Sequence, residues 1–274
     1  VVTEGGSLVS VAAEIRDNVA GGAGGGLVAA YGANVVLSNC VVSGNSSPAN
    51  EGGGLHVYLA EGTLTNCRIT GNVAATNSGG VRLISSQVTF TGCLIADNAA
   101  SSYGGGIWLS DASAAQLTNC TITGNMGVDA NTPAGGVGSW ASQVILKNTI
   151  VWGNASRDMD QGNGGTITAT YCDLGLLWAG TGNINADPLF VDAANGDFRL
   201  RPGSPCIDAG DPTSPPDADG TVADMGALPR MFHIGDVTRD DAFTALDASW
   251  VLQYSVKLRE SLPLSLADVS GNGR

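Results

Sequence analysis

The chain has 274 residues and a net charge of −13, with 43% apolar side chains, only 14% charged ones, and 40 glycines. That apolar content excludes a disordered chain, and an acidic balance without a basic run excludes electrostatic binding to nucleic acid or anionic lipid. No apolar stretch is long enough to span a bilayer, so membrane insertion is not expected.

Starting at Val1 with no signal peptide, the chain reads as a mature form or a fragment. Its organising motif appears at once. AEIRDN at 13–18 is a degenerate copy of NCVVSGN at 39–45, which returns as NCRITGN at 66–72, GCLIADN at 92–98, NCTITGN at 119–125 and NTIVWGN at 148–154. The terminal asparagines Asn18, Asn45, Asn72, Asn98, Asn125 and Asn154 are 27, 27, 26, 27 and 29 residues apart. Within each period a glycine pair precedes a short alternating apolar stretch, as in GGGLHVYLA from Gly52, GGVRLIS from Gly79 and GGGIWLS from Gly104. A second apolar run follows, then the VVSG or TITG piece. Three short strands per period, with glycine and asparagine turns and no helical periodicity before residue 180, predict an all-β fold. The expected architecture is a right-handed parallel β-helix of about seven coils over residues 1–185, stacked ~4.8 Å apart.

Stacking places equivalent residues above one another. The six asparagines are then a ladder whose amides bond along the stack and fix its register. Cys40, Cys67, Cys93 and Cys120 share one slot, with Ala13 before and Thr149 after, two residues ahead of an apolar Val or Ile that points the same way. They are expected to be an inward column of free thiols, since in-register parallel strands hold Cβ atoms slightly too far apart for a bridge. Insertions such as SSPANE, MGVDANTPA and ASRDMDQGN fall between the ladder asparagine and the next glycine pair, where repeat proteins often place binding loops.

Charge density roughly doubles beyond residue 180, with 11 acids and 5 bases before it and 14 and 7 after it, which predicts a boundary. Residues 186–230 are expected to be a β-rich closing segment and linker, and 231–274 a separate module.

The NC-x-I-x-GN … GGG-(I/L) repeat resembles the parallel β-helix repeats of the pectate-lyase-like superfamily, most of all the extracellular, polymorphic-outer-membrane type. The stretch GTGNINADPLFVDAANGDFRLRPGSPCIDAGDP, followed by DADGTVADMGA, is similar to the segment that closes such β-helices in bacterial secreted proteins. The resemblance implies a secreted or cell-surface protein associated with polysaccharide. Lyases, hydrolases and non-catalytic proteins all use the fold, so the activity stays open.

GDVTRDDAFTALDASWVLQYSVKL from Gly235 resembles the first repeat of a type I dockerin, and ADVSGNGR from Ala267 the opening of the second. That resemblance implies a cohesin-type scaffold as partner and a Ca²⁺ ion as cofactor. In the EF-hand variant the ligand positions fall on Asp236, Thr238, Asp240, Asp247, the Ala242 carbonyl and Thr244. Thr238 and Asp241 depart from the pattern, the latter standing where glycine normally makes the turn.

Catalytic signals are sparse. Glu51, Glu61, Asp97, Asp111, Asp129, Asp158 and Asp160 read as solvated loop acids, with Asp158 and Asp160 a candidate cation pair. None forms a same-position pair on adjacent coils. The outward positions after each glycine pair are more informative. They gather His56, Tyr58, Arg82, Trp108 and Trp140 on one face, although aromatic residues are only 5% of the chain. These are the candidate substrate-binding residues: the rings to stack on pyranose rings, Arg82 to pair with an acidic sugar.

Overall fold

The computed structural model describes residues 1–127 and 135–229, together with Ala248. Three parallel sheets run the length of the solenoid, each seven strands deep, and a fourth has four two-residue strands. Seven stacked strands enclose about six turns, close to the expected number of coils.

The first sheet holds the strands that follow the glycines: Val2–Glu4, Leu27–Ala30, Leu55–Tyr58, Val81–Ile84, Ile107–Ser110, Val137–Trp140 and Met159–Gly162. The second runs from Ser7–Val11 through Asn34–Ser38, Glu61–Thr65, Gln87–Thr91, Ala114–Thr118 and Gln143–Lys147 to Thr166–Thr170. The third contains the motif strands, from Glu14–Arg16 and Val41–Ser43 to Ile150–Trp152 and Asp173–Leu174. Alternation sends Leu55 and Val57, Val88 and Phe90, and Ile69 and Ile95 inward, where all are buried in one continuous core.

Two columns at the corners hold the register. Each ladder asparagine from Asn18 to Asn125 donates from Nδ2 to Oδ1 of the next at 2.8–2.9 Å, and from its backbone N–H to the same oxygen at 3.0–3.1 Å. The second Nδ2 hydrogen goes back to a carbonyl of the preceding coil, as Asn72 does to Val42 O at 2.9 Å. The expected ladder is therefore present, and it ends on Asp158, whose Oδ1 accepts from Asn154 N and Nδ2 at 2.9 and 2.8 Å.

Cys40, Cys67, Cys93 and Cys120 are free and buried, and Cys172 extends their column past Thr149. Each sulfur donates to the carbonyl two residues before it at 3.2–3.5 Å, a bond that Thr149 Oγ1 reproduces to Lys147 O at 2.8 Å. The hydroxyl and the thiol thus occupy the same slot for the same reason. The hydrogen bond with Cys120, with burial adding, pushes the Cys93 thiol up to about 12, while burial, with the Asp173 charge adding, pushes Cys172 to about 12.

Past the last coil, Trp178 packs beneath the core and donates from Nε1 to Ile167 O at 3.2 Å. The closing segment contains one antiparallel hairpin, Phe190–Asp192 with Asp197–Leu200, and is otherwise turns over the described residues, less β-rich than expected. It lies along the outer side of the third sheet. Phe198 packs on Leu94 and Ala96, Cys206 and Met225 pack on Ile150, and Ala227 N donates to Thr121 Oγ1 at 2.9 Å. Two polar contacts clamp it to the coil: Asp211 N to Asn148 Oδ1 at 2.8 Å, and Lys147 Nζ with Asp211 Oδ2 at 2.7 Å. Outward positions of the third sheet record this. In the uncovered coil they are Arg68 and Thr70, and in the covered one Leu94 and Ala96.

Candidate functional site

The register of the first sheet places Val28, His56, Arg82, Trp108, Gly138 and Asp160 in one outward column. A second column, two residues on, contains Ala30, Tyr58, Ile84 and Ser110, with Trp140 paired to Gly162 at its far end. The five candidate residues therefore share a face, but not equally. Trp140 is 44% exposed and Tyr58 half-buried, whereas His56, Arg82 and Trp108 retain only 8%, 6% and 5% of their surface.

Loop side chains account for the difference. Tyr103 stacks on Trp108 with ring centroids 5.0 Å apart and planes at 25°, and Glu51 lies on Arg82. Glu51, Asn77 and Tyr103 are equivalent residues of successive coils, each just before the glycine turn. Their carbonyls accept in series from Gly24 N, Gly52 N and Ser78 N. The sequence reading missed this third column, although its position next to the glycines was a usable signal. It also placed Glu51 among the solvated acids; the Arg82 ion pair corrects that.

Both tryptophans lie across a glycine of the following coil. A Cβ at Gly138 would fall 2.0 Å from Trp108 Cε3, and one at Gly162 would fall 2.4 Å from Trp140 Cζ3. Gly138 and Gly162 thus leave flat seats on which the rings rest. The rings left open to solvent are Trp140, Tyr103 at 40% exposure and Tyr31 at 61%, the last edge-on to Tyr58 at 5.4 Å. Beside this tyrosine pair a shallow groove of 380 Å³ runs along the corner with the second sheet, lined by Gly32, Leu59, Glu61, Ser85 and Gln87.

Arg82 anchors the polar part of the face. Its Nε donates to Glu51 Oε2 at 2.9 Å, Nη1 to Leu83 O at 2.8 Å and Trp108 O at 3.3 Å, and Nη2 to Ser110 Oγ at 2.9 Å. Asn77 Nδ2 donates to Glu51 Oε2 at 3.2 Å, and Ser110 Oγ in turn donates to Asp111 Oδ2 at 2.8 Å. Burial works to raise the Glu51 pKa, but the bond and charge of Arg82 outweigh it and hold the carboxyl below its ordinary range. Burial lowers the pKa of His56, and the Arg82 charge adds to this against the pull of Glu51, so the imidazole is neutral at pH 7. Its Nδ1 is enclosed and has no hydrogen-bond partner among the described residues.

The remaining acids of the described residues make separate structural contacts. Asp158 is buried as the ladder's last acceptor, contrary to its reading as a solvated acid, and Asp160 faces Arg157 at 3.4 Å. The two acids of the candidate cation pair thus have separate structural roles. Glu61, Asp97 and Asp111 are exposed single acids. Asp217, Asp219 and Asp224 make turns: Asp219 Oδ1 accepts from Thr221 N at 3.0 Å and Asp217 Oδ2 from Asp224 N at 2.7 Å. Among the described residues no group of three His, Cys, Asp or Glu side chains is placed to hold a metal. Asp129 and the expected Ca²⁺ ligands Asp236, Thr238, Asp240, Ala242, Thr244 and Asp247 lie outside the described residues.

Among the described residues no helix is long and apolar enough to cross a membrane. A family model described as the right handed beta helix region matches residues 2–151. Among solved structures, the crystal structure of pectate lyase Pel9A is similar with a TM-score of 0.52, at 18% identity, over 80% of this chain and 70% of that one. At that identity the likeness is one of fold, a pectate-lyase-like β-helix. A search of the curated proteins gives no match to this chain.

Proposed function

The chain belongs to the right-handed beta helix family, and from that premise we propose that it is a secreted, carbohydrate-associated protein that binds polysaccharide on the outer face of its first sheet. One observation carries the reading: exposed rings are seated at successive coils of a rigid surface, Tyr103 over Trp108 and Trp140 over Gly162. Flat rings held on a preformed sheet stack on pyranose rings at little entropic cost. Successive coils lie ~4.8 Å apart along the stack, about the length of one pyranose unit. Tyr58 and Tyr31 extend the surface toward the groove, while His56 and Arg82 support it from beneath.

The double variant Tyr103→Ala/Trp140→Ala should lose retention in affinity electrophoresis on every polysaccharide that retards the parent, with Tm nearly unchanged. Equal retention of parent and variant would rule the face out. Trp108→Ala is not a clean binding probe, because the ring is buried and its loss should cost about 3 kcal/mol.

The dockerin-like segment supplies the tether in this proposal. Its loop oxygens at Asp236, Asp240 and Asp247 bind Ca²⁺, and the ordered module docks on a cohesin-bearing scaffold. Calorimetry of the full chain with Ca²⁺ tests it: heat that an Asp247→Ala variant reproduces would end the calcium reading. A second reading, a lyase or glycoside hydrolase, is favoured by the neutral His56 beside the Glu51–Arg82 pair. Unsaturated products or new reducing ends on a polysaccharide panel, abolished by His56→Ala, would establish it.

A further inference from the structure

We infer that Glu51 makes this face selective for uncharged glycans, by holding Arg82 so that the cation at the centre of the face is closed to a sugar carboxylate. The inference rests on the polysaccharide reading above and specifies its ligand. Arg82 is the cation at the centre of the face, and sequence alone assigns it to an acidic sugar. In the fold its guanidinium makes four hydrogen bonds, to Glu51, two backbone carbonyls and Ser110, and its side chain is only 7% exposed. A carboxylate from solvent could reach it only by displacing Glu51, which Asn77 also holds.

Among the described residues the rest of the face adds one exposed cation, Arg157, which lies at the far end of the sheet and already faces Asp160 at 3.4 Å. Arg157 is drawn to Asp160, His56 is neutral, and Glu4 and Asp111 are exposed acids in or beside the first sheet. An acidic polymer laid along these coils would meet Glu4, Glu51, Asp111 and Asp160 against Arg82 and Arg157. Only Arg157, already paired, is exposed to receive one of its carboxylates, and the others would lose water without gaining a partner. An uncharged polymer gives up nothing of this kind and still stacks on Tyr103 and Trp140.

Native affinity electrophoresis of the full chain tests this with polygalacturonate and three neutral polymers, galactan, xylan and mixed-linkage β-glucan. The parent should be retarded by at least one neutral polymer, to the same extent at low salt and at about 0.5 M salt, where screening is strong. Polygalacturonate should not retard it at low salt. Glu51→Gln keeps the side chain's size and removes its charge, so it should raise apparent affinity for polygalacturonate at least about tenfold, as expected for one charge-assisted contact. High salt, or the added change Arg82→Met, should abolish that gain.

Retardation of the parent by polygalacturonate as strong as by any neutral polymer overturns the selectivity and leaves the polysaccharide reading standing. Retardation by none of the four removes both. A folded Glu51→Gln protein without the gain shows that Glu51 is not the selective element. Should that variant fail to fold, the parent's neutral-against-acidic comparison decides alone.

Discussion

The ladder corner and the outer face of the first sheet are made by the same coils, yet one repeats a single residue and the other repeats none. Asparagine recurs at the corner because its amide carries donors and an acceptor at once, so a stack of identical side chains can satisfy itself. The outer column runs Val28, His56, Arg82, Trp108, Gly138, Asp160, with no such constraint. Where every coil must solve the same problem, the sequence is periodic; where one coil does something particular, the period breaks. The difference separates what stacks the fold from what the fold presents to solvent.

Breaking the corner should have the largest effect. Asn72 accepts from Asn45 N and Nδ2, at 3.0 and 2.9 Å, and donates to Val42 O and Asn98 Oδ1. Asn72→Ala leaves buried donors of Asn45 with no acceptor, at ~1–3 kcal/mol per orphaned group, so a loss of about 3–5 kcal/mol is expected. Urea unfolding followed by far-UV circular dichroism measures it. A loss under about 1 kcal/mol would mean that the ladder is incidental to stability.

The same contrast explains what sequence could reveal. The ladder, the thiol column and the inward strand positions were legible because periodic residues predict one another. Membership of the outer face was legible too, since alternation fixes which residues point outward. Exposure was not, because it depends on which side chains Glu51 and Tyr103 present at the loop position before the glycine turn, a column outside the strand alternation. Ladder termination by Asp158 was hidden for a related reason: an acceptor-only residue suits the end of a donor chain, but Asp158 lies four residues past Asn154, out of register. The covering of the third sheet was visible in principle, in the change from Arg68 and Thr70 to Leu94 and Ala96.

An intermediate effect is expected at Asp173, which puts a carboxyl at the third-sheet position held by Ile150, Thr121 and Leu94 in the coils before it. Its carboxyl is fully buried and accepts from Cys206 Sγ at 3.1 Å and Ala186 N at 3.1 Å, joining the closing segment to the last coil. Burial raises its pKa to about 6, although both hydrogen bonds oppose the rise. A raised carboxyl pKa means that the folded state favours the protonated form. Its contribution to stability is therefore complete below the ordinary range near 4 and is lost as pH rises through about 6. Asp173→Asn removes that penalty, so its Tm should exceed the parent's at pH 8, by an amount corresponding to ~1–3 kcal/mol, and match it near pH 4. A Tm difference that does not change across this range would show that Asp173 is ionised throughout.

The smallest expected effect on stability, and the sharpest contrast, comes from one substitution made on two neighbouring coils. Gly138 and Gly162 each seat a tryptophan, and neither needs a left-handed backbone, so alanine is strained only by the ring above it. Trp108 lies between Gly138 and Tyr103 and is almost wholly buried, so it has nowhere to go. Gly138→Ala should overpack that sandwich and cost ~1–3 kcal/mol. Among the described residues no ring stacks on the outer side of Trp140, which is 44% exposed, so its indole can swing into solvent when Gly162 gains a methyl group. The lower backbone entropy of unfolded alanine offsets the lost contact, and Gly162→Ala should change stability by less than about 0.5 kcal/mol. Glycan retention should nonetheless fall about five- to tenfold, since the ring is present but no longer held flat for stacking. Retention equal to the parent's, with the indole shown by fluorescence to be displaced, would mean that the seat at Gly162 positions the ring for packing alone.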